Sequence, residues 1–372
     1  MAKFVLLISL VIIILAACKK RYYPRVNDEQ ATILVVEGFI NNSADTTFIR
    51  LSHTNKLDSG ISNSEEKGAQ LILEDASGNT LYNFQQMDNS GSYFVPGMNL
   101  SFTEKYKLRI VTSNGKEYLS DEMPVLKTPE IDSISFGTTK NNFEVYANTH
   151  DPGNNTWYYR WEYTETWNYK AAFFSSLVAI DKIIYDRRPD QYVYECWKTQ
   201  QNTQLLLGNS TKLAQDIIYH FPLRLIDFNA VELSIKYFIS LRQYALTKDA
   251  YEYMENLKRI TEQTGSLFDP QPSEINGNIH SVNNSDKAVL GYLITCTPSA
   301  KQLYITNAQV QPWHYNPRCV FVEIPTDEAA ITNEFTLLSY DGYPPKGVFA
   351  TTRSCGDCTV MGGTTIKPPF WQ

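Results

Sequence analysis

Six cysteines carry most of the chemistry this sequence can offer. Cys18 stands alone near the start; Cys196, Cys296, Cys319, Cys355 and Cys358 follow, the last two spaced as "CGDC". Outside a reducing compartment, thiols default to disulfides, and five of them leave one free or joined elsewhere. Two other chemistries fit the same residues. Cys355 and Cys358 could form a redox pair, although no thioredoxin-like strand-and-helix pattern surrounds them. His314, Cys319, Cys355 and Cys358 together supply one imidazole and three thiolates, a donor set that suits tetrahedral zinc. The favoured expectation is a disulfide framework containing Cys319, Cys355 and Cys358, with no cofactor.

Catalytic signals are weaker. The five histidines, His53, His150, His220, His280 and His314, are scattered, and each reads as a surface or packed residue. There is no Gly-x-Ser-x-Gly elbow, His-Glu-x-x-His pair or phosphate loop. Asp186 with Asp190, or Asp269 with Glu274, could be paired carboxylates, but a glycosidase needs such a pair about 5 to 9.5 Å apart. The expectation is that the chain is not an enzyme.

Cys18 has a context of its own. Residues 4–17 are apolar apart from Ser9, Lys3 precedes them, and Ala16 and Ala17 stand just before the cysteine. That is the layout of a secretory signal, and it is short for a membrane-spanning helix, which wants about 20 residues. Leu15-Ala16-Ala17-Cys18 resembles a bacterial lipobox, which implies cleavage before Cys18 and acylation of its thiol and amine. Each buried methylene contributes about 0.8 kcal/mol, and two or more chains anchor stably. Residues 1–17 are thus expected to be a signal peptide and 18–30 a lipidated tether. Lys19, Lys20 and Arg21 suit anionic headgroups, each contributing about 1 kcal/mol near them.

The elements that follow read as two β-rich bodies, as 372 residues allow. The formal charge of −7 becomes −8 once Lys3 leaves with the signal, and no basic stripe offers a nucleic-acid surface. Hydrophobic content of 43% permits a sizeable core. "ATILVVEGFI" and "TTFIRLSH", then hairpins around Ala76-Ser77-Gly78-Asn79 and Ser113-Asn114-Gly115, predict an immunoglobulin-like or transthyretin-like β-sandwich over residues 31–127. The Asn-Gly pair favours a turn with positive φ at both central residues.

Residues 128–372 predict a larger β-rich domain with one or two helices. "WYYRWEYTETWNY" alternates with period two, the mark of a half-buried strand. Trp157, Tyr159, Trp161, Tyr163, Trp167 and Tyr169 share one face, interrupted by Glu165; Tyr158, Arg160, Glu162, Thr164, Thr166 and Asn168 share the other. The aromatic row either faces the core or forms a ledge on which sugar or peptide stacks, and in the second case Trp157, Trp161 and Trp167 are the candidate anchors. "VELSIKYFISL" repeats the alternation. Thr247 predicts the N-cap of a helix over 248–263, stopped by Gly265, with Tyr251, Met254, Leu257 and Ile260 on its apolar stripe. "AVLGYLIT" and "KQLYIT" predict a strand pair, and the last fifty residues an irregular, cysteine-containing tail broken by Pro344-Pro345, Gly362-Gly363 and Pro368-Pro369.

"YALTKDAYEYMENLKRITEQTGSLFDPQPSEINGNI", then "LGY", and the ending "CGDCTVMGGTTIKPPFW" resemble domain of unknown function 4249, a family of predicted outer-membrane lipoproteins in Bacteroidota. "LVVEGFI" and "YYRWE" fit its pattern too, so the likeness covers nearly all of the mature chain. The resemblance implies a two-part β-rich body behind a lipid anchor and genes neighbouring those of TonB-dependent transporters. It supplies no catalytic residues. His280 stands where many long members carry cysteine, and Lys19 is of the residue type that follows the acylated cysteine in lipoproteins sent to the outer membrane. Surface lipoproteins of this group usually carry acids directly after that cysteine; here the first are Asp28 and Glu29.

The functional expectation is a lipid-anchored outer-membrane lipoprotein, exposed at the cell surface, that binds a ligand or docks on a TonB-dependent transporter. The alternative is a scaffold subunit of a larger assembly, and a third reading is a hydrolase of surface polymers.

Overall fold

The computed structural model describes residues 33–54, 64–139, 141–262, 277–283, 288–331 and 333–372. The expected signal peptide and tether with Cys18, and also Gly265 and the carboxylates Asp269 and Glu274, lie outside the described residues. The chain is mainly β, with two bodies and a small third lobe.

The first body is a sandwich of two sheets. One runs in the order Val289–Leu290, Leu34–Gly38, Thr47–His53, Ser92–Val95, Gln85–Gln86. The other runs Ile40–Asn41, Thr295–Thr297, Met123–Lys127, Lys105–Val111, Glu117–Ser120, Ile279–Ser281, with the hairpin of Gln70–Asp75 and Thr80–Asn83 on the far side of Lys105–Val111. Alternate residues point inward: Ile49, Leu51, Leu73, Leu108 and Ile110 are completely buried in the shared core. The hairpin at Ser113-Asn114-Gly115 is present, but only Gly115 takes a positive φ (+78°). That departs from the expected mirror-image turn and fits a longer loop with one left-handed residue.

Two stretches of chain switch sheets side by side. Leu34–Gly38 passes to Ile40–Asn41 through Gly38 (φ +132°), and Val289–Leu290 passes to Thr295–Thr297 past Gly291 (φ +139°). They run parallel, with Leu34 opposite Val289 and Ile40 opposite Thr295. A β-carbon on Gly38 would stand 2.4 Å from the Phe48 carbonyl oxygen, and one on Gly291 2.2 Å from that of Val36, so both bends require glycine.

This pairing corrects two expectations. Residues 31–127 do not complete the sandwich, because Ile279–Ser281, Val289–Leu290 and Thr295–Thr297 belong to its sheets. "AVLGYLIT" and "KQLYIT" therefore do not pair with each other; Ser299–Thr306 joins the second body instead. Local sequence shows that a segment is a strand but not which body supplies its neighbour.

In the second body a five-stranded sheet contains, in order, Glu195–Gln201, Tyr158–Lys170, Lys236–Leu246 and Ser299–Thr306, with Leu206–Asn209 also on Tyr158–Lys170. A three-stranded sheet, Ile131–Thr138, Asn142–His150 and Ile217–Asp227, covers its inner face. The helix Lys248–Glu262 follows directly, and the Thr247 hydroxyl accepts the Ala250 N–H at 3.2 Å, the N-cap bond expected there. Its Tyr251 and Met254 pack with Tyr244, Ile294 and Cys296 into a cluster joining the two bodies.

The C-terminal tail is more ordered than expected. Phe321–Pro325, Gly347–Thr352 and Phe335–Tyr340 form a three-stranded sheet over a core of Ile324, Leu337, Val348 and Ala350. These strands are short and separated by turns, so their periodicity is faint. The Ser175 to Leu177 segment closes one edge, with Ser176 donating to the Leu338 carbonyl at 2.9 Å.

Candidate functional site

The central strand Tyr158–Lys170 positions everything that follows. Its aromatic row faces the core: Tyr159 and Trp161 are 0% exposed and Trp167 3%. The candidate binding surface of Trp157, Trp161 and Trp167 is therefore overturned, with Trp157 half-buried and the other two enclosed. The three-stranded sheet lies over that face, and Trp161 stacks on its Phe221 at 4.1 Å. Gly208 backs the indole; a β-carbon there would meet it at 2.8 Å.

Three of the buried rings have their polar tips satisfied, whereas the enclosed Trp167 indole N–H has no partner among the described residues. The Trp161 indole donates to Gln243 Oε1 at 2.8 Å, Tyr159 donates to Asp216, and Tyr169 donates to the Cys358 carbonyl at 2.7 Å. Glu165, which interrupts the row, is 2% exposed. It accepts from Arg224 Nε at 3.1 Å and from the Tyr237 hydroxyl at 2.7 Å. Burial and the Glu165 charge raise the pKa of Tyr237 well above an ordinary phenol. Burial, joined by Asp216, does the same for Tyr159, and burial then Glu165 push Tyr163 up to about 12. A raised folded-state pKa contributes stability that is fully present below about pH 10, where unfolded tyrosine titrates, and is lost as pH rises through the folded values. The unfolding temperature is expected to fall only above about pH 10, and tyrosinate absorbance to rise in a second step that coincides with unfolding; full titration before unfolding would contradict it.

The other face of the strand makes the site. Its far end is closed: Thr166 bonds Thr199 at 2.9 Å, and Phe238, opposite Thr166, is covered by Phe370 at 4.9 Å. Its near end is closed by Tyr251 of the helix against Tyr158 and by Phe39 of the first body against Tyr244. Between them a window stays open. Here Glu162 lies opposite Arg242 and Thr164 opposite Ser240, with Gln201 beside Thr164 on the third strand.

Two contiguous hollows occupy this window. One, of about 410 Å³, is lined by Thr164, Gln201, Asn202, Ser240, Glu162 and Arg242. The second, about 480 Å³, shares Glu162 and Arg242 and reaches across to Asp45, Thr46 and Phe48 of the first body. Glu162 is already engaged, since Arg160 bonds one carboxylate oxygen and the Tyr244 hydroxyl donates to the other at 2.9 Å. Burial, then Glu162, raise the pKa of Tyr244, which keeps it a donor. Arg242 is exposed, and its guanidinium makes no hydrogen bond or ion pair among the described residues. The polar row was visible in the alternation; that it lines an opening was not, because the lids at both ends come from distant residues.

Remaining sequence candidates fall elsewhere. Cys196 bridges Cys358 and Cys319 bridges Cys355, so "CGDC" is not a redox pair. The zinc alternative fails on the same fact, as its three thiolates are consumed. Cys296 is the free thiol among the described residues, enclosed at the junction of the bodies and pushed up to about 12 by burial. Asp186 and Asp190 are exposed, and Asp190 pairs with Arg188 at 3.2 Å. His53, His150 and His280 pair with Glu66, Asp132 and Asp121, and His220 stacks on Tyr146 and Tyr219. A further hollow of about 420 Å³ lies between Leu177 and Leu337 and is bordered by Arg187. Burial lowers the pKa of this arginine, and it already donates to Ser175 Oγ, the Leu177 carbonyl and the Gln191 carbonyl, which makes it a clasp for the lobe.

Several solved structures share slight similarity. A two-domain fibronectin type III segment of chicken tenascin is 13% identical over 58% of this chain and 92% of its own, with a TM-score of 0.18. Trypsin-activated alpha-2-macroglobulin from Escherichia coli is 10% identical over 61% of this chain and 15% of its own (TM-score 0.21), and the BSP domain of a biofilm-associated protein is 8% identical over 78% and 62% (TM-score 0.17). At these TM-scores none bears on architecture or function. No curated protein matches the chain. The family model for domain of unknown function 4249 matches residues 19–302, most of the chain, including the central strand, its lids from the first body and the helix, and to that family the chain belongs.

Proposed function

We propose that the chain is a lipid-anchored outer-membrane lipoprotein that binds a ligand in the window above Glu162 and Arg242 and works as a non-enzymatic accessory subunit of a TonB-dependent transporter. The observation that carries the reading is the window itself: guanidinium, hydroxyl and amide groups converge on an open cleft, the arrangement of a binding site. Cys18 behind Leu15-Ala16-Ala17 supports the anchor, and two disulfides suit an oxidising compartment. Anchoring confines the search for a barrel to two dimensions and raises the effective concentration, so a modest affinity suffices.

Membrane fractionation and affinity purification of the Cys18→Ser variant test this. The wild-type chain is expected in the outer-membrane fraction together with a transporter barrel, and the variant in the soluble fraction without it. A wild-type chain that leaves membranes with salt alone sinks the proposal.

One observation favours the scaffold reading. The edge strand Phe321–Pro325 and its preceding residue expose Val320, Phe321 and Val322 (71%, 55% and 42%), and an open apolar edge is a template for pairing with another chain. A multi-subunit complex purified without ligand would support it instead.

A further inference from the structure

We propose that the window takes a saccharide bearing a carboxylate, such as a uronic-acid oligomer, with Arg242 as its anchor; this rests on the binding role proposed above. The charge of the first hollow selects the anion, whereas the second, lined by Arg160, Arg242, Glu162 and Asp45, carries no net charge. Arg160 and Glu162 neutralise each other through their bond, leaving the Arg242 guanidinium unpaired among the described residues. A planar fork matches a carboxylate in bidentate fashion. A phosphate dianion carries a second charge for which the first hollow has no second unpaired cation among the described residues.

The floor of the cleft selects the saccharide. An extended peptide binds a sheet by adding to a free edge, and the floor of the cleft is not one: Tyr158–Lys170 is paired on both sides, Lys236–Leu246 lies between it and Ser299–Thr306, and the edge strand Glu195–Gln201 is bridged at Trp197 by Thr364. What the floor offers is side chains, the hydroxyls of Thr164 and Ser240 and the amide of Gln201, which pair with neighbouring sugar hydroxyls, while the Asn202 amide is held by the Tyr163 N–H and the Gln204 carbonyl. In the second hollow Phe48, half exposed, gives an apolar surface against which the next ring can rest. The two hollows meet at Arg242, so a chain of two or three rings fits better than one.

Calorimetric titration of the full-length lipoprotein in detergent with trigalacturonate, neutral galactotriose and a short polyglutamate peptide tests this. Trigalacturonate is expected to bind, the other two to bind at least tenfold more weakly, and Arg242→Gln to lower trigalacturonate affinity about ten- to a hundredfold, the effect of one charge-assisted bond. Ser240→Trp, which fills the opening, is expected to abolish binding while leaving the melting temperature unchanged. Equal affinity for galactotriose, tighter binding of polyglutamate, or an unaffected Arg242→Gln variant overturns the inference. Transporter copurification is read from the same preparation. A retained barrel without uronate binding refutes only the ligand class, whereas loss of the barrel with uronate binding intact refutes only the docking role.

Discussion

Serine at both Cys196 and Cys358 is expected to lower stability by about 5 kcal/mol, enough to unfold much of the second body. The bond joins residues 162 apart, and releasing a loop of that length restores a large chain entropy to the unfolded state. It also pins the tail to the sheet. Cys196 sits in the edge strand Glu195–Gln201, while the Cys358 N–H donates to the Val193 carbonyl at 2.9 Å and its own carbonyl receives Tyr169. Opening Cys319–Cys355, which spans 36 residues, is expected to cost about 4 kcal/mol and to disturb mainly the small lobe. Denaturant titration of the two double variants under oxidising conditions measures the difference, and peptide mapping without reduction checks the connectivity. A fragment linking Cys355 to Cys358 would refute both predictions together.

The second large effect concerns Glu165. Arg224→Ala is expected to destabilise the fold by about 3 kcal/mol, the low end for a broken buried pair because Arg224 keeps a quarter of its side chain in solvent. Burial pulls the arginine pKa down, but the Glu165 carboxylate beside it more than offsets this and holds it above the usual guanidinium value, so the cation stays charged. Without it, a carboxylate 3% exposed retains only the Tyr237 hydroxyl. Glu165→Gln in the same chain removes the stranded charge and is expected to recover more than half of the loss. Urea midpoints of the two single variants and the double variant give the coupling; additive losses would show that the pair acts independently.

How much of this was legible varies by element. The thirteen residues Tyr158–Lys170 are plain in the sequence, since aromatic side chains at alternate positions mark a strand with one buried face. The helix after Thr247 is equally plain, as cap and stripe agree. Which face of the central strand would be open could not be read, because Phe39, Tyr251 and Phe370 come from three remote segments. Alternation fixes which residues share a side and is silent on what covers it. Of the two readings of the aromatic row the core-facing one holds, and the ledge with Trp161 and Trp167 as anchors falls because a second sheet lies over them. Disulfide partners were hidden too, since proximity within "CGDC" suggests a link that the turn from Arg353 to Met361 avoids by sending its two sulfurs to opposite neighbours.

The sheet-switching stretch past Gly291 sets an order of events for a newborn polypeptide. Leu34–Gly38 and Ile40–Asn41 lie next to strands that are synthesised some 250 residues later. Without those later strands both sheets of the amino-terminal half are incomplete. Only when residue 297 arrives can both be completed, so the maturation of the portion made first is timed by nearly the whole length of the molecule.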